Sequence, residues 1–542
     1  MIQINQLKLS LEQCKNAELE KEALLKKCAQ ILHVSKNEIK ELTIEKKSLD
    51  ARKKPVLFYV YSVAVAVASE EKVIKKCKDK SASLYYPSKY HFDVTGMQPL
   101  KHRPIIIGLG PAGLFCGYML AKHGYRPIIF ERGCKVEDRI KDVQEFWENG
   151  KLMLNSNVQF GEGGAGTFSD GKLNTLIKDK TGRNKEVLRV FVECGAPEQI
   201  LYDNKPHIGT DILMKVVANM RDRMISYGAE IHYKSQATDF VITDGMISGV
   251  QVNETEFYEA EAVILAIGHS ARDTFLRLYE REIPMAAKDF AVGFRVQHPQ
   301  VDIDLNQYGS HDYDLPAAAY KLAAQTSSGR GVYSFCMCPG GYVVNASSEE
   351  DRLVVNGMSY SGRDSGVANS AIIISVNRND FEPETTDIDM VHPLAGVAFQ
   401  RQLEESAFKL ANGKIPVQYF DDFCNNQKSD LSHVKSFEPK FKGAYEFVNL
   451  REVLPEELNT AFVEGMRQFG KYIQGFDDST CLLAGVESRT SSPVRIHRDL
   501  QCESSIAGLY PCGEGAGYAG GITSAAMDGL AVAEAIAKKY IP

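Results

Sequence analysis

Residues 104–131, PIIIGLGPAGLFCGYMLAKHGYRPIIFE, constrain the fold of this 542-residue chain more than any other stretch. Residues 104–107 form an apolar run of the kind a buried strand needs, and Gly108-Leu109-Gly110-Pro111-Ala112-Gly113 follows at once. Residues 114–123 continue with helical character to Gly124, and a second apolar strand, 127–130, delivers Glu131, 23 residues past Gly108. Each glycine has a separate task. Gly108 makes the tight turn, Gly110 lets the main chain approach a pyrophosphate, and Gly113 lets helix and sheet pack closely. The helix N-terminus offers N–H groups and the positive end of its dipole to the phosphates. An acid at Glu131 suits both hydroxyls of a ribose and opposes a 2′-phosphate, so the expected adenosine is that of FAD or NAD rather than NADP. Strand, glycines, helix, strand and acid together predict a Rossmann-type α/β domain.

A second stretch has the same glycine spacing. In FGEGGAGTFSDGK, residues 160–172, Gly161, Gly163 and Gly166 again match G-x-G-x-x-G. Here Asp170-Gly171 interrupts any helix, and no second strand with a terminal acid follows at the right distance. The loop is therefore expected to let main chain lie against a flat ligand, with Ser169, Asp170 and Lys172 supplying polar contacts. The plain alternative is a flexible loop.

Charge divides the chain. Residues 1–103 hold 20 Lys and Arg against 12 Asp and Glu, a surplus of +8, while the remainder holds 43 against 58, or −15. The first hundred residues thus read as a separate module. Alternation in MIQINQLKLSL, ELTIEKKSL and PVLFYVYSVAVAV, with helical spacing of Leu24, Cys28, Ile31 and Leu32 and a short EEKVIKKCK helix, predicts a β-α-β-β-α order and a small ferredoxin-like domain over residues 1–95. Its lysines are interleaved with glutamates, the signature of a solvated face, so nucleic acid is not the expected partner. The N-terminus lacks a secretory pattern, and the longest apolar run, residues 55–68, is too short to span a bilayer. No membrane association and a cytoplasmic location are expected. Twelve cysteines are scattered without a C-x-x-C, and Cys336 and Cys338 lack a second ligand pair for a metal.

Residues 231–268 read as a β-meander turning at Asp244-Gly245, followed by an apolar strand that ends in Ala266-Ile267-Gly268 and then His269-Ser270-Ala271-Arg272. Near the C-terminus, GLYPC leads into Gly513-Glu514-Gly515-Ala516-Gly517 and Gly520-Gly521-Ile522, and an Ala-rich helix runs from about Thr523 to Lys538. These three elements resemble the FAD-binding domain of the glutathione-reductase-like flavoprotein superfamily. There the first fingerprint holds the ADP half, a strand ending in Ala-Thr-Gly lies near it, and a late Gly-Asp binds the ribityl chain. Ala266-Ile267-Gly268 and Gly513-Glu514 stand at the corresponding places, each with one departure. FGEGGAGTFSDGKLNT, ILAIGHSARDTF, ESRTSSPVRIHRD and YPCGEGAGYAGGITSAAMDG resemble more narrowly a family of bacterial FAD-dependent dehydrogenases, often labelled NAD-utilising, with an extra N-terminal domain.

The resemblance implies an FAD-binding domain in two pieces, 101–285 and 489–542, with a mixed α+β substrate domain, 286–488, inserted between them. The expected cofactor contacts are Gly108, Gly110, Pro111, Ala112, Gly113, Glu131, Arg132, Gly161, Gly163, Gly164, Gly166, Lys172, Ala266, Gly268, Gly513, Glu514, Gly521 and Ile522, with the 161–166 loop as the opposite wall of the flavin-ring pocket. A helix beginning near Gly521 would present N–H dipoles to the charge of a reduced flavin. Candidate catalytic or substrate contacts are His269, Arg272, Glu162, Lys172, Arg489 and Arg495, and the arginines would suit an anionic substrate. The expected function is an FAD-dependent oxidoreductase passing a hydride through flavin N5, its electrons coming from transient NAD(P)H, from substrate or from a donor protein. A flavin-dependent RNA-modifying enzyme using the basic module, and a non-catalytic flavin sensor, are the alternatives.

Overall fold

The computed structural model describes residues 1–87, 89–175, 177–310, 314–381, 392–430 and 437–542. The chain forms two compact units, one of residues 1–91, 172–207 and 304–314, the other of 92–171, 208–303 and 315–542.

In the first unit, strands Ile2–Ser10, Glu41–Asp50, Phe58–Ala66 and Ala82–Leu84 form one antiparallel sheet in the order second, third, first, fourth. Helices Ala17–Leu32 and Glu70–Lys76 follow the first and third strands. Alternation in the first strand buries Ile2, Ile4, Leu7 and Leu9, and the helical period buries Leu24, Cys28 and Leu32 against them; Ile31 is only half-buried. Three of its lysines pair with glutamates: Lys47 with Glu20 at 3.0 Å, Lys185 with Glu45 at 2.9 Å, and Lys36 with Glu22. The unit also takes in residues 172–207, which the expected boundaries had left in the cofactor domain. The reason is local: Lys47 N donates to Tyr202 O at 2.7 Å and Asn204 N returns a bond to Lys47 O at 2.8 Å.

The second unit is built on a five-stranded parallel sheet in the order Leu509–Pro511, Val263–Leu265, Ile105–Ile107, Ile128–Phe130, Glu230–His232. All but the edge strand Glu230–His232 are short, apolar and buried because both faces are covered. Helix Pro111–Lys122 packs against the C-terminal helix Ile522–Lys539 so closely that a Cβ on Gly529 would stand 2.3 Å from Ala112 O. A three-stranded antiparallel meander, Ala237–Thr243, Met246–Val252 and Glu256–Glu259, carries its first turn at Asp244 and Gly245, with φ of 50° and 76°. Positive φ at both central residues matches the strand twist of a hairpin, and Asp-Gly tolerates it.

Residues 286–488 contribute a seven-stranded mixed sheet whose centre is Phe290–Pro299 paired along its whole length with Val367–Val376, and on its other side with Leu482–Glu487. All three central strands are buried almost throughout, under helices that include Ala395–Leu410 and Glu456–Gly470. No helix among the described residues is long and apolar enough to cross a membrane.

Candidate functional site

The first glycine turn sits where strand Ile105–Ile107 delivers the chain to the tip of helix Pro111–Lys122. Gly108 has φ +95° and a Cβ there would meet Ala266 O at 2.5 Å, so the turn and the neighbouring strand end can approach only through glycine. A Cβ on Gly113 would collide with Gly108 O at 2.0 Å. Gly110 differs: its φ is −73°, and a Cβ would find only Gly164 Cα, at 3.7 Å. Pro111 opens the helix, where its missing N–H costs nothing.

Glu131 is buried, and its carboxylate ties the two glycine stretches together. Oε2 accepts from Leu109 N at 2.8 Å; Oε1 accepts from Gly133 N at 2.9 Å and from Gly161 N at 3.0 Å. Gly163 N adds a bond to Leu109 O at 2.8 Å. The 161–166 loop is therefore knitted to the first turn. It also reaches the second helix tip, because a Cβ on Gly166 would stand 2.9 Å from Ile522 Cγ1. The loop thus lies against both helix tips, at Gly110 and at Ile522.

The loop is also anchored from its other side. Gly161, Gly163 and Gly164 all have positive φ, which turns carbonyls inward onto one guanidinium. Arg139, fully buried, donates from Nε to Asn157 O at 2.9 Å, from one terminal nitrogen to Gly161 O, Glu162 O and Gly164 O at 3.3, 2.7 and 3.0 Å, and from the other to Val158 O at 2.9 Å. Burial lowers its pKa to about 10. Sequence reasoning missed this residue, although a signal was present. Arg139 occupies an apolar-face position of helix Val136–Asn149, in line with buried Val136, Val143 and Phe146. Glu162, expected as a substrate contact, is instead an anchor of the same loop. Its carboxylate accepts from Val136 N and Tyr233 Oη, each at 2.7 Å, and from Arg221 at 2.9 Å. Burial is the main influence on its pKa, which is raised.

At the tail, strand Leu509–Pro511 leads to Gly513, where a Cβ would stand 2.6 Å from Ala112 Cβ, so the two turns are neighbours. Asp528, one further residue missed in sequence, holds this turn: it accepts from Gly513 N at 2.7 Å and pairs with Arg498 at 2.6 Å. Glu514 Oε1 is 2.9 Å from His269 Nδ1, and Gly515 packs on Gly268, with a Cβ 2.5 Å from Gly268 O. The other ring nitrogen of His269, Nε2, is buried without a hydrogen-bond partner. Gly268, Gly520 and Gly521 face open space, in which an added Cβ would meet nothing within 4 Å.

Two of the arginines expected at substrate are committed elsewhere. Every N–H of Arg489 is used: Nε and one terminal nitrogen bind Glu404 at 3.0 and 2.7 Å, the latter also Glu349 at 3.4 Å, and the remaining nitrogen binds Ser270 and Ser348. Arg272 pairs with Glu404 at 2.8 Å and Glu349 at 2.6 Å, and bonds Gln400. The four charges cancel inside the protein. Burial alone would push the Glu404 carboxyl up, but Arg272 and Arg489 hold it well below the usual carboxylate range. Arg272 and Arg489 therefore form a buried structural ion-pair network rather than an anion clamp. Arg132 pairs with Asp273 at 3.0 Å and lies 4.4 Å from the centre of the Phe160 ring. Asp170, expected to face ligand, binds Ser359 and, at 3.0 Å, Arg363. Lys172 falls in the first unit, in an isolated bridge with His207. Arg495 remains exposed, bonded once to Gly517 O and lying 4.7 Å from the Tyr518 ring centre.

Comparison with known proteins now adds to this geometry. Residues 289–490 match a family described as "FAD-dependent protein, C-terminal domain-like", and residues 1–66 match a domain family of unknown function. An uncharacterized protein of Clostridium beijerinckii is 44% identical over 545 aligned positions, covering 99% of both chains. Among solved structures, L-proline dehydrogenase from P. horikoshii gives a TM-score of 0.31 at 14% identity, covering 81% of this chain and 94% of that one. Glycine oxidase from Bacillus cereus gives 0.31 at 12%, covering 80% and 94%. The domain match and the full-length relative carry the assignment. The chain belongs to the family of this C. beijerinckii protein, it carries the C-terminal domain of FAD-dependent proteins, and FAD is its cofactor.

Proposed function

We propose that this protein is an FAD-dependent oxidoreductase, a dehydrogenase or reductase acting on a small molecule, with FAD stretched between the helix tips at 110–113 and 520–524. One observation carries the reading: the two turns touch through Ala112 and Gly513, while Gly110, Gly268, Gly520 and Gly521 present bare backbone to space where a Cβ would meet nothing nearer than 3.7 Å. Such a surface fits an extended cofactor.

Bound FAD supplies a two-electron, hydride-accepting centre. The residues of this chain supply placement and proton handling. The N-terminal N–H groups of helix Pro111–Lys122 would hold the pyrophosphate. Glu131 spends three acceptor positions on backbone and retains about one for a ribose hydroxyl. Glu514 orients His269 through Nδ1 and leaves Nε2 to hold or deliver a proton. An anionic substrate now rests on Arg495 alone among the arginines considered. In the first unit Lys36, Lys47 and Lys185 pair with glutamates, which leaves that much less positive charge for RNA docking. Membership of the NAD-utilising branch, and with it an NAD(P)H reductant, belongs to this proposal.

The test begins with the absorption spectrum of the purified protein and continues with anaerobic addition of NADH, NADPH and a panel of carboxylate metabolites. Bleaching of the oxidised flavin band is expected with at least one of them. A protein that is colourless and refuses added FAD overturns the cofactor site, whereas one that binds FAD and is reduced by none of them overturns the oxidoreductase. His269→Gln is expected to keep FAD and slow substrate-driven bleaching by roughly 10²-fold or more.

A further inference from the structure

Strand Gly331–Cys338 ends in Cys336-Met337-Cys338, outside the elements that form the candidate flavin site. Its pairing with Val367–Val376 runs Phe335 opposite Ala371 and then Cys338 opposite Asn369, so three steps on one strand face two on the other. This is a β-bulge, and it bends the strand at the cysteines. Cys336 takes a left-handed φ of 42°. A non-glycine residue adopts that conformation only at a cost, and such strain clusters at working sites. The bend sets the Cys338 thiol 3.2 Å from Cys336 O and within hydrogen-bonding reach of the Cys336 side chain.

A buried cation serves both residues. Arg295 is fully buried; one terminal nitrogen lies 3.8 Å from Cys338 Sγ and donates to Cys336 O at 2.9 Å and to Asn369 at 3.0 Å. Its charge is balanced by Glu487 in a two-point pair at 2.6 and 3.0 Å, and Asn356 takes the last donor shown. Glycine at 357 is required for this arrangement, since a Cβ there would stand 2.1 Å from Arg295. The two thiols differ in access: Cys336 is half-buried and Cys338 fully buried. Burial pushes the Cys338 thiol well up, so at rest it is protonated and silent.

From the bulge, the two adjacent thiols and the buried guanidinium, we infer that Cys336 and Cys338 form a thiol–disulfide exchange site. It takes small or peptide disulfides as oxidant and stands independently of the flavin reading. Cys336, the accessible thiol, loses its proton and attacks one sulfur of a disulfide RSSR. The S–S bond breaks, one RS⁻ leaves, and a mixed disulfide forms on Cys336. Cys338 then loses its proton with its developing charge beside Arg295, attacks the Cys336 sulfur and expels the second RS⁻. The two thiol protons pass to the two released thiolates. The dithiol is oxidised by two electrons, and the external disulfide is reduced by two.

The experiment uses the full-length, FAD-loaded protein equilibrated in graded mixtures of glutathione and glutathione disulfide, then alkylated with N-ethylmaleimide under denaturing conditions and cut with trypsin. Residues 331–352, between Arg330 and Arg352, form one peptide with only these two cysteines. As the disulfide fraction rises, this peptide is expected to pass from two adducts to none, two hydrogens lighter, while the peptides of buried Cys116 and Cys194 keep their adducts. Cys338→Ser should stop at glutathione on position 336, and Cys336→Ser should leave Cys338 alkylated. Two adducts persisting at the highest disulfide, or glutathione accumulating on the unmutated peptide without closing the internal disulfide, overturns the proposal. The titration of the unmutated protein decides the matter even where a serine variant does not fold.

Discussion

The turn at residues 108–113 and the loop at 161–166 carry the same glycine spacing, but their amides and carbonyls face different partners. In the first, a strand enters, a helix leaves, and the glycines clear space for Ala266 and for a helix packed on the sheet. In the second, no helix of comparable length follows; the glycines bend the chain around the Arg139 guanidinium, which takes carbonyls from both ends of the loop. The comparison teaches that glycine spacing records where backbone must come close to something. The neighbours then determine whether that something is a phosphate, a sheet or a buried cation.

The largest expected effect separates the two regions. Arg139→Leu removes a donor from five carbonyls; those of Gly161, Glu162 and Gly164 keep another, those of Asn157 and Val158 have no other shown, and at about 1–3 kcal/mol for each unsatisfied group it should cost more than about 2 kcal/mol in denaturant unfolding. A loss below about 1 kcal/mol would show that the loop holds itself. Glu131→Gln tests the tie between the regions, because the amide cannot replace both carboxylate oxygens as acceptors for Leu109, Gly133 and Gly161. A loss of about 1–3 kcal/mol is expected, together with weaker FAD retention after gel filtration. Gly113→Ala tests the first region by itself. With Gly108 O 2.0 Å from the new Cβ, overpacking of about 1–3 kcal/mol should appear as a lower unfolding midpoint. Gly110→Ala is the smallest in stability and the most informative about cofactor. Its φ of −73° and 3.7 Å clearance predict a change within about 0.5 kcal/mol in FAD-free protein, while FAD binding, followed by flavin fluorescence, weakens. Unchanged FAD affinity would move the cofactor away from this turn.

Acid provides a further contrast with the Arg272–Glu404–Arg489 ion-pair network. Glu404 is held below its ordinary pKa, so its stabilising contribution is present above the unfolded-state value near 4.3 and is lost as pH falls below it. Unfolding midpoints measured downward from pH 6 should fall more steeply in the unmutated protein than in Glu404→Gln.

Much of the scaffold was legible in the sequence. Continuous apolar runs at 104–107, 127–130 and 263–265 marked strands covered on both faces, and Asp244-Gly245 marked a hairpin because few other pairs accept two positive φ values. The site was legible only in part. Glu131 was identified for a ribose, but its bond to Gly161 depends on a loop that arrives 30 residues later. Arg272 and Arg489 could be read as charged and interesting, while their partners Glu349 and Glu404 lie on distant segments that no local pattern connects to them.

The sequence by itself determined the local pieces: where a strand must turn into a helix, where positive φ is affordable, and which faces are apolar. Those follow from backbone sterics and side-chain period, which act over a few residues. Tertiary structure alone decided which charges neutralise one another, that Arg139 is the centre of the second glycine loop, and that Ala112 meets Gly513 across 401 residues of chain. Burial and Coulomb interaction depend on distance in space, and separation along the chain does not encode that distance.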